Sequence, residues 1–185
     1  MFLKEYALKM RGNPRPLRRY GLLQWGRSET LWSGLGATIG IGLCALLSVH
    51  FFEPRDSILL IGSFGASAVL IYGVTQSPLA QPRNLIGGHV LSALIGVAIF
   101  QLMGFTWFSA ALAVSLSIVL MMLTDTVHPP GGATALTAIV GGPAIQDLGF
   151  LYALFPAEVG ALVLLLVALL VNNLSRRRRY PEYWF

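Results

Sequence analysis

The chain has 185 residues, of which 55% are hydrophobic and only 11% charged, and its formal net charge is +5. Soluble domains have about 25% charged residues, so this composition argues against a soluble domain and is typical of a polytopic membrane protein. Seven of the 13 lysines and arginines precede residue 28, and four form the run from Arg176 to Arg179. Because that run follows a long apolar stretch, it indicates a cytoplasmic anchor and not a nucleic-acid patch.

The charge pattern divides the chain into three parts. Residues 1–30 predict a basic cytoplasmic arm with a short interfacial helix around residues 22–25. Residues 31–174 predict a single transmembrane domain in contact with the lipid bilayer, and residues 175–185 predict a basic cytoplasmic tail. The first residues resemble neither a secretory signal nor a transit peptide. We therefore expect a protein of a bacterial-type inner membrane with both termini in the cytoplasm.

A membrane-spanning helix needs about 20 mostly apolar residues. Five stretches come near that length, at residues 31–52, 57–74, 85–103, 107–123 and 148–174. The positive-inside rule places both basic ends in the cytoplasm, which requires an even number of crossings. Residues 128–142 are too short for a full span but provide the natural sixth crossing. The prediction is an all-α protein with five to six transmembrane or re-entrant segments.

Short motifs recur in the same order in the two halves of the chain. Gly-Ala-Ser-Ala at 65–68 resembles Gly-Ala-Thr-Ala at 132–135, and Pro-Leu-Ala-Gln at 78–81 resembles Pro-Ala-Ile-Gln at 143–146. Upstream, Ser-Val-His at 48–50 resembles Thr-Val-His at 126–128. Three crossings per half would invert the second half, which predicts inverted repeats at 31–103 and 106–174. The alternative is chance recurrence of small residues, which are common in membrane helices.

The segment from Thr124 to Leu136 contains an acid, a histidine, two prolines and two glycines in otherwise apolar sequence. Proline is unsuited to a helix interior but suited to the first helical position. The segment therefore predicts a break near residues 124–127 and a half-helix from Pro130 or Gly131 to about Val140. The N-terminus of a half-helix attracts anions, and two glycines there would leave its backbone open to close approach.

Several polar side chains near this break could serve a binding site. His128 is the only group in the break that titrates near neutral pH, so it could carry a proton or donate to an anion. Asp125 could pair with it or cap the half-helix, with Thr124 and Thr126 as alternative caps.

His89 and Glu158 occupy similar places in the two halves. They could form a structural pair, because an unpaired carboxylate in the membrane is costly. The small residues of both short helices could frame a ligand or only pack helices. The candidate substrate-binding set comprises His128, Pro129, Pro130, Gly131, Gly132, Thr134, Asp125, Gly65, Ser67, His89 and Glu158.

At the break the sequence resembles the HPP family of integral membrane proteins, named for a His-Pro-Pro motif carried here by His128, Pro129 and Pro130. The resemblance includes the blocks 62–70, 77–89 and 125–136 and covers roughly residues 28–175. The family is usually described as four-spanning, which differs from the five or six segments counted above. Members in plants and cyanobacteria have been linked to nitrite transport. The resemblance implies transport of nitrite or a similar small anion.

The leading hypothesis is a transporter or channel for a small monovalent anion, with nitrite as the first candidate. The alternative is a membrane scaffold or sensor whose basic ends engage anionic lipid or a partner. An enzyme is not expected, because the sequence has no nucleophile elbow, P-loop or dinucleotide fingerprint. No cofactor or metal is expected either, since the histidines lack zinc-ligand spacing. The small-residue pairs Gly36 with Gly40 and Ser92 with Gly96 could support a homo-oligomer or pack within one chain.

Overall fold

The computed structural model describes residues 26–51 and 60–185, and every regular element in these ranges is helical. The predicted interfacial helix at 22–25, most of the basic arm and the connector at 53–56 lie outside the described residues. The helices are α1 (Arg27–Phe51), α2 (Gly62–Ala68) with a π-helical extension (Val69–Gly73), a 3-10 turn (Pro78–Ala80), α3 (Pro82–Met103), α4 (Trp107–Leu123), α5 (Pro129–Val140), α6 (Pro143–Gln146), a π-helical segment (Ala153–Glu158) and α7 (Val159–Asn172). The predicted all-α class is confirmed.

Within the described ranges, three helical stretches are long and apolar enough to span a membrane: Ser28–His50, Pro82–Met103 and Ala153–Asn172. Gly62–Gly73 and Trp107–Leu123 are apolar but shorter, and α5 has only 12 residues. Two of the short segments, Trp107–Leu123 and α5, follow one another between the second and third long helices. The bundle therefore combines three full-length candidate spans with three shorter segments, where the sequence predicted five near-full stretches and one short crossing.

The ends of these segments meet at one end of the bundle. Arg178, beyond α7, forms an ion pair of 2.5 Å with Glu29 at the start of α1, and it also donates to the carbonyl oxygen of Tyr72 at the end of the α2 extension. Arg83 at the start of α3 donates to the carbonyl oxygen of Thr124, just after α4. The start of α1 and the segment after α7 therefore lie side by side.

Two predictions concern where helices begin and break. The half-helix is confirmed, and it begins at Pro129, one residue earlier than predicted. The expectation of one continuous span over 148–174 is wrong at its start. Phe155 has non-helical φ and ψ of −140° and 121°. Pro156 has no N–H to continue the helical hydrogen-bond pattern, and it disfavours helical geometry in the residue before it.

The two predicted small-residue faces pack within the chain. Cβ atoms built on Gly36 and Gly40 would lie 2.7 and 2.1 Å from the side chain of Tyr72, whose hydroxyl donates to the carbonyl oxygen of Leu164. On α3, a Cβ on Gly96 would lie 2.6 Å from the carbonyl oxygen of Ala135 in α5. Neither face is free in this chain for contact with a second copy.

The same local structure recurs at the two Pro-x-x-Gln motifs. Each proline begins a short helical turn, Pro78–Ala80 or Pro143–Gln146. The amide of Gln81 donates to the carbonyl oxygen of Thr75, and that of Gln146 donates to the carbonyl oxygen of Ile139. The equivalence does not extend to His50, which lies inside α1, whereas His128 is the N-cap of α5 and Ile61 is the N-cap of α2.

Candidate functional site

Four polar side chains are buried together where α2, α3 and α5 meet. Ser67, His89, His128 and Thr134 each have 0% of their surface exposed. We call these four residues the histidine cluster. All four belong to the candidate set predicted from the sequence, although they come from three helices and one connector. Polar groups buried at such a position are expensive unless they bond to each other.

The cluster forms one continuous chain of hydrogen bonds. Ser67 Oγ lies 2.8 Å from His89 Nε2 and 2.9 Å from His128 Nε2. His89 Nδ1 lies 2.7 Å from Thr134 Oγ1, and His128 Nδ1 lies 2.8 Å from the carbonyl oxygen of Leu79. The single hydroxyl of Ser67 therefore connects the two imidazoles.

The carbonyl at one end assigns the hydrogens along this chain. The oxygen of Leu79 can only accept, so His128 carries its hydrogen on Nδ1, and a neutral His128 accepts at Nε2 from the hydroxyl of Ser67. Ser67 has one hydrogen and must accept from the Nε2–H of His89. His89 Nδ1 then accepts from the hydroxyl of Thr134. With both rings neutral, every ring nitrogen has a partner.

Glycines allow the backbones to approach closely at the cluster. A Cβ on Gly88 would lie 2.4 Å from the Cβ of His128, and a Cβ on Gly131 would lie 2.7 Å from the carbonyl oxygen of Gly88 and from Ser92 Oγ. Real Cβ atoms do not pack this closely, so only glycine fits at either position. The role of Gly131 is helix packing between α5 and α3.

The open anion site predicted at the start of α5 is therefore not open in this structure. Pro129 and Pro130 have no N–H to offer, and the N–H of Gly131 donates to the carbonyl oxygen of His128 at 2.8 Å. The space in front of Gly131 is filled by α3. Gly132 is less crowded, since the nearest atom to its Cβ would be Val114 Cγ1 at 3.7 Å.

Asp125 lies away from the cluster, and its two predicted roles are wrong. The N-cap of α5 is His128, and no side chain caps that helix. Asp125 is exposed and adopts a positive φ of 52° in the connector. That connector is held against α3 by Asn84, whose side chain donates to the carbonyl oxygen of Val127 at 2.9 Å, and by the bond from Arg83 to Thr124.

The predicted pair between His89 and Glu158 is also wrong. Both ring nitrogens of His89 bond to hydroxyls of the cluster, and no hydrogen bond of the described residues joins it to Glu158. Glu158 Oε2 is buried without a hydrogen-bond partner, as is Ser63 Oγ. Gly65 is exposed, and a Cβ on it would meet nothing within 4 Å, so Gly65 does not contribute to the cluster.

An apolar groove of about 400 Å³ opens on the surface beside the cluster. The exposed Pro129 and the buried Pro130 form one wall, and α2 with its extension forms the other. The groove is lined by Ala66, Val69, Leu70, Pro129, Pro130 and Ala133.

Leu79 is the one contributor to the hydrogen bonds of the histidine cluster that the sequence did not indicate. It acts through a backbone carbonyl oxygen, which any residue carries.

The two imidazoles are the only ionisable side chains among the four members of the cluster. Over the described ranges, no group of three or more histidines, cysteines or acids is arranged to hold a metal ion. The rings of His89 and His128 have centroids 5.1 Å apart, and Phe64 packs edge-on against His89 at 5.4 Å. This arrangement can bind and transfer a proton, and it can present N–H or O–H donors to a small polar solute.

The apolar candidate spans, together with a hydrogen-bonded polar cluster buried between them, define an integral membrane protein. The chain belongs to the HPP family, since residues 24–181 match the family model described as the HPP transmembrane region. It is 43% identical over 189 aligned positions to one transmembrane protein of Dictyostelium discoideum, covering 100% of this chain and 59% of the relative. It is 49% identical over 163 positions to a second, covering 85% of this chain and 56% of the relative.

The chain thus spans less than three fifths of the length of these curated relatives. Their names state only that they are transmembrane proteins. No solved structure matches the chain.

Proposed function

We propose that the chain is a carrier or channel for a small monovalent anion, with nitrite as the first candidate, and that the histidine cluster is its binding site. The observation that supports this is the burial of two histidines and two hydroxyls inside an apolar bundle, where among the described residues they bond to each other and to backbone carbonyls. Polar groups at such a depth are costly and mark solute pathways. We propose no enzymatic role for the protein, and the proposed partners are the lipid bilayer and the transported anion.

The cluster offers hydrogen-bond donors to a small anion if the helices separate. The hydroxyls of Ser67 and Thr134 and the ring N–H groups point at one another, so a planar oxyanion inserted between them would replace their mutual bonds. The groove beside Pro129 and Pro130 adjoins this position and is the proposed route by which α5 moves away from α2.

Purified protein in liposomes provides the test. Uptake of nitrite, nitrate, formate and chloride is measured against empty liposomes, and we expect the intact protein to accelerate nitrite uptake. His128→Gln and His89→Gln should each reduce the rate by about 5- to 150-fold, because losing one hydrogen bond at a binding site costs about 1–3 kcal/mol. His50→Gln, on the exposed face of α1, is the matched histidine control and should retain the rate. If none of the four anions moves faster than in empty liposomes, the transport proposal is wrong.

A membrane scaffold or sensor is the second candidate, and one observation favours it. Every ring nitrogen of the cluster has a partner in the closed structure, as expected for a polar staple between helices. For a scaffold, His128→Gln and His89→Gln would lower the unfolding temperature, and the unmodified protein itself would transport no anion. The two proposals therefore differ in whether the intact protein moves an anion at all.

We further propose that both termini face the cytoplasm of a bacterial-type inner membrane. The ion pair between Arg178 and Glu29 supports a common side for the two ends, and the basic residues near both ends support the cytoplasmic side. Cys44 is buried, so a Cys44→Ser background with Ser28→Cys or Phe185→Cys places one label at either end. Labelling of the two positions from opposite sides of sealed vesicles would contradict this arrangement.

A further inference from the structure

We infer that the histidine cluster binds one proton together with one anion, so that transport is an electroneutral proton–anion symport. This inference rests on the proposed function and names its coupling ion. It follows from a count of donors and acceptors in the cluster and from the positions of the fixed charges around it.

The cluster accepts one additional proton without losing a hydrogen bond. A proton added to His89 Nδ1 turns that atom into a donor towards Thr134 Oγ1. The hydroxyl of Thr134 can then rotate to the carbonyl oxygen of Pro130, which lies 3.2 Å away. The remaining bonds, from His89 to Ser67 and from Ser67 to His128, are unchanged. The charged cluster is therefore as fully bonded as the neutral one.

The added proton can also pass between the two rings through Ser67. The N–H bond at His89 Nε2 breaks as its proton moves to Ser67 Oγ, and the original O–H bond of Ser67 breaks as that proton moves to His128 Nε2. His89 becomes neutral and keeps its Nδ1–H, and His128 becomes the cation with both nitrogens donating. Each step conserves one proton and one positive charge.

A second proton has no place in the cluster. Both Nε2 atoms would then donate to Ser67 Oγ, whose own hydrogen would lose its acceptor. Two cations would also lie next to each other, with ring centroids 5.1 Å apart, and like charges at that distance in an apolar interior repel strongly. The stoichiometry that the geometry allows is one proton.

The described residues around the cluster supply no fixed positive charge to balance an anion there. Between Arg83 and Arg176 the sequence contains no lysine or arginine. Arg83 is itself exposed and donates to the carbonyl oxygen of Thr124. Among the described residues, a protonated His89 or His128 is therefore what can neutralise an anion in the cluster, and a buried unpaired anion is expensive.

Among the described residues, no carboxylate is bonded to the cluster that could balance the positive charge of the added proton. Asp125 is exposed in the connector, and Glu158 makes no hydrogen bond or ion pair with the cluster among the described residues. The hydroxyl of Tyr152 donates to the carbonyl oxygen of Thr134 at 3.0 Å, and that of Tyr72 donates to Leu164. Proton and anion therefore enter the cluster as a neutral pair, and neither crosses alone.

The experiment measures nitrite uptake by the full chain in liposomes under imposed gradients, with the rate of empty liposomes subtracted. Lowering the external pH by one unit should raise the initial rate by up to about tenfold, because the proton concentration rises by that factor. A potential of about 100 mV of either sign should change the rate by less than about twofold. For a channel that moves the bare anion, the same potential is worth about 2.3 kcal/mol, or about 45-fold in accumulation.

Nitrite uptake that follows the potential and carries no protons would overturn the symport and leave the proposed function standing. The absence of nitrite uptake would overturn both, and proton entry without nitrite would overturn the coupling. An internal pH dye read beside nitrite uptake should give one proton for each nitrite.

Ser67→Ala tests the link between the two rings. It removes the bridging hydroxyl and should lower uptake by at least about tenfold, which is about 1.4 kcal/mol, and flatten its dependence on external pH. Ser117→Ala is the matched control, since it removes an equally buried hydroxyl that donates to the carbonyl oxygen of Ala113 in its own helix at 2.7 Å. A retained pH dependence in Ser67→Ala, or an equal loss in Ser117→Ala, would overturn the relay. If Ser67→Ala does not elute as a folded species, the potential and stoichiometry of the unmodified protein decide the question.

Discussion

Arg178→Gln is expected to destabilise the protein more than any other single change in the arginine run. The guanidinium of Arg178 holds three elements together at one end of the bundle. Its Nε pairs with Glu29 Oε2, its Nη1 donates to the carbonyl oxygen of Tyr72 at 2.9 Å and to Asn172 Oδ1 at 3.2 Å, and its Nη2 donates to Ser33 Oγ at 2.8 Å and to the carbonyl oxygen of Glu29.

The expected magnitude follows from the burial of the pair. The side chains of Arg178 and Glu29 are only 6% and 15% exposed. Removing one partner of a buried ion pair costs about 3–5 kcal/mol. The lower end applies here, because Glu29 keeps a bond of 3.0 Å from the hydroxyl of Ser175 and some access to water. At about 2–4 °C per kcal/mol for a chain of this size, the unfolding temperature should fall by about 6–12 °C.

The assay is thermal unfolding of the detergent-purified protein, followed by tryptophan fluorescence. Arg176→Gln and Arg179→Gln remove the same charge from exposed side chains and should change the free energy of unfolding by less than about 0.5 kcal/mol. Glu29→Gln combined with Arg178→Gln should cost less than the sum of the single changes. Equal shifts for all three arginines would refute the reasoning and restore the interpretation of the whole run as a general basic anchor.

Two further changes test packing at the cluster and at the tail. Gly131→Val should prevent the close approach of α5 to the carbonyl oxygen of Gly88 and lower the yield of folded protein. Gly132→Ala, whose added Cβ would have its nearest neighbour at 3.7 Å, should elute in size exclusion as the unmodified protein does. Equal behaviour of the two variants would contradict the packing role of Gly131. Tyr180→Phe removes a bond of 2.7 Å to the carbonyl oxygen of Ala80 and should lower the unfolding temperature by about 2–4 °C. Burial raises the pKa of the Tyr180 phenol, so the hydroxyl stays a donor and the loss should be the same at neutral and mildly alkaline pH; a loss confined to one pH would contradict this.

The role of Arg178 shows where sequence reasoning ends. Four consecutive arginines after an apolar stretch look alike, and a rule based on charge assigns all four to the membrane surface. One of them is instead buried against Glu29, which is 149 positions earlier in the chain. Its partners include backbone carbonyl oxygens, which leave no signature in the residue types. The contact depends on how α1 and α7 are placed together, and periodicity within either helix does not contain that information.

The members of the histidine cluster were easier to predict than their partners. Proline and glycine punctuate the chain locally, so the break at His128 and the short helix that follows it could be located from the sequence. The motif match between 65–68 and 132–135 selected Ser67 and Thr134. What the sequence could not provide is the pairing, since Asp125 is the ionisable residue nearest to His128 in the chain and yet is exposed, at a positive φ.

The two prolines also change where positive charge at the site must come from. A half-helix N-terminus attracts an anion through unpaired N–H groups, but Pro129 and Pro130 remove two of these donors, and the next, at Gly131, bonds to the carbonyl oxygen of His128. The start of α5 therefore has no unpaired backbone N–H group among these first three residues with which to bind an anion. The imidazoles of His89 and His128 are the groups left to hold an anion, and an imidazole becomes cationic only by taking up a proton. The motif that breaks the helix thus favours dependence on a proton over a permanently positive site.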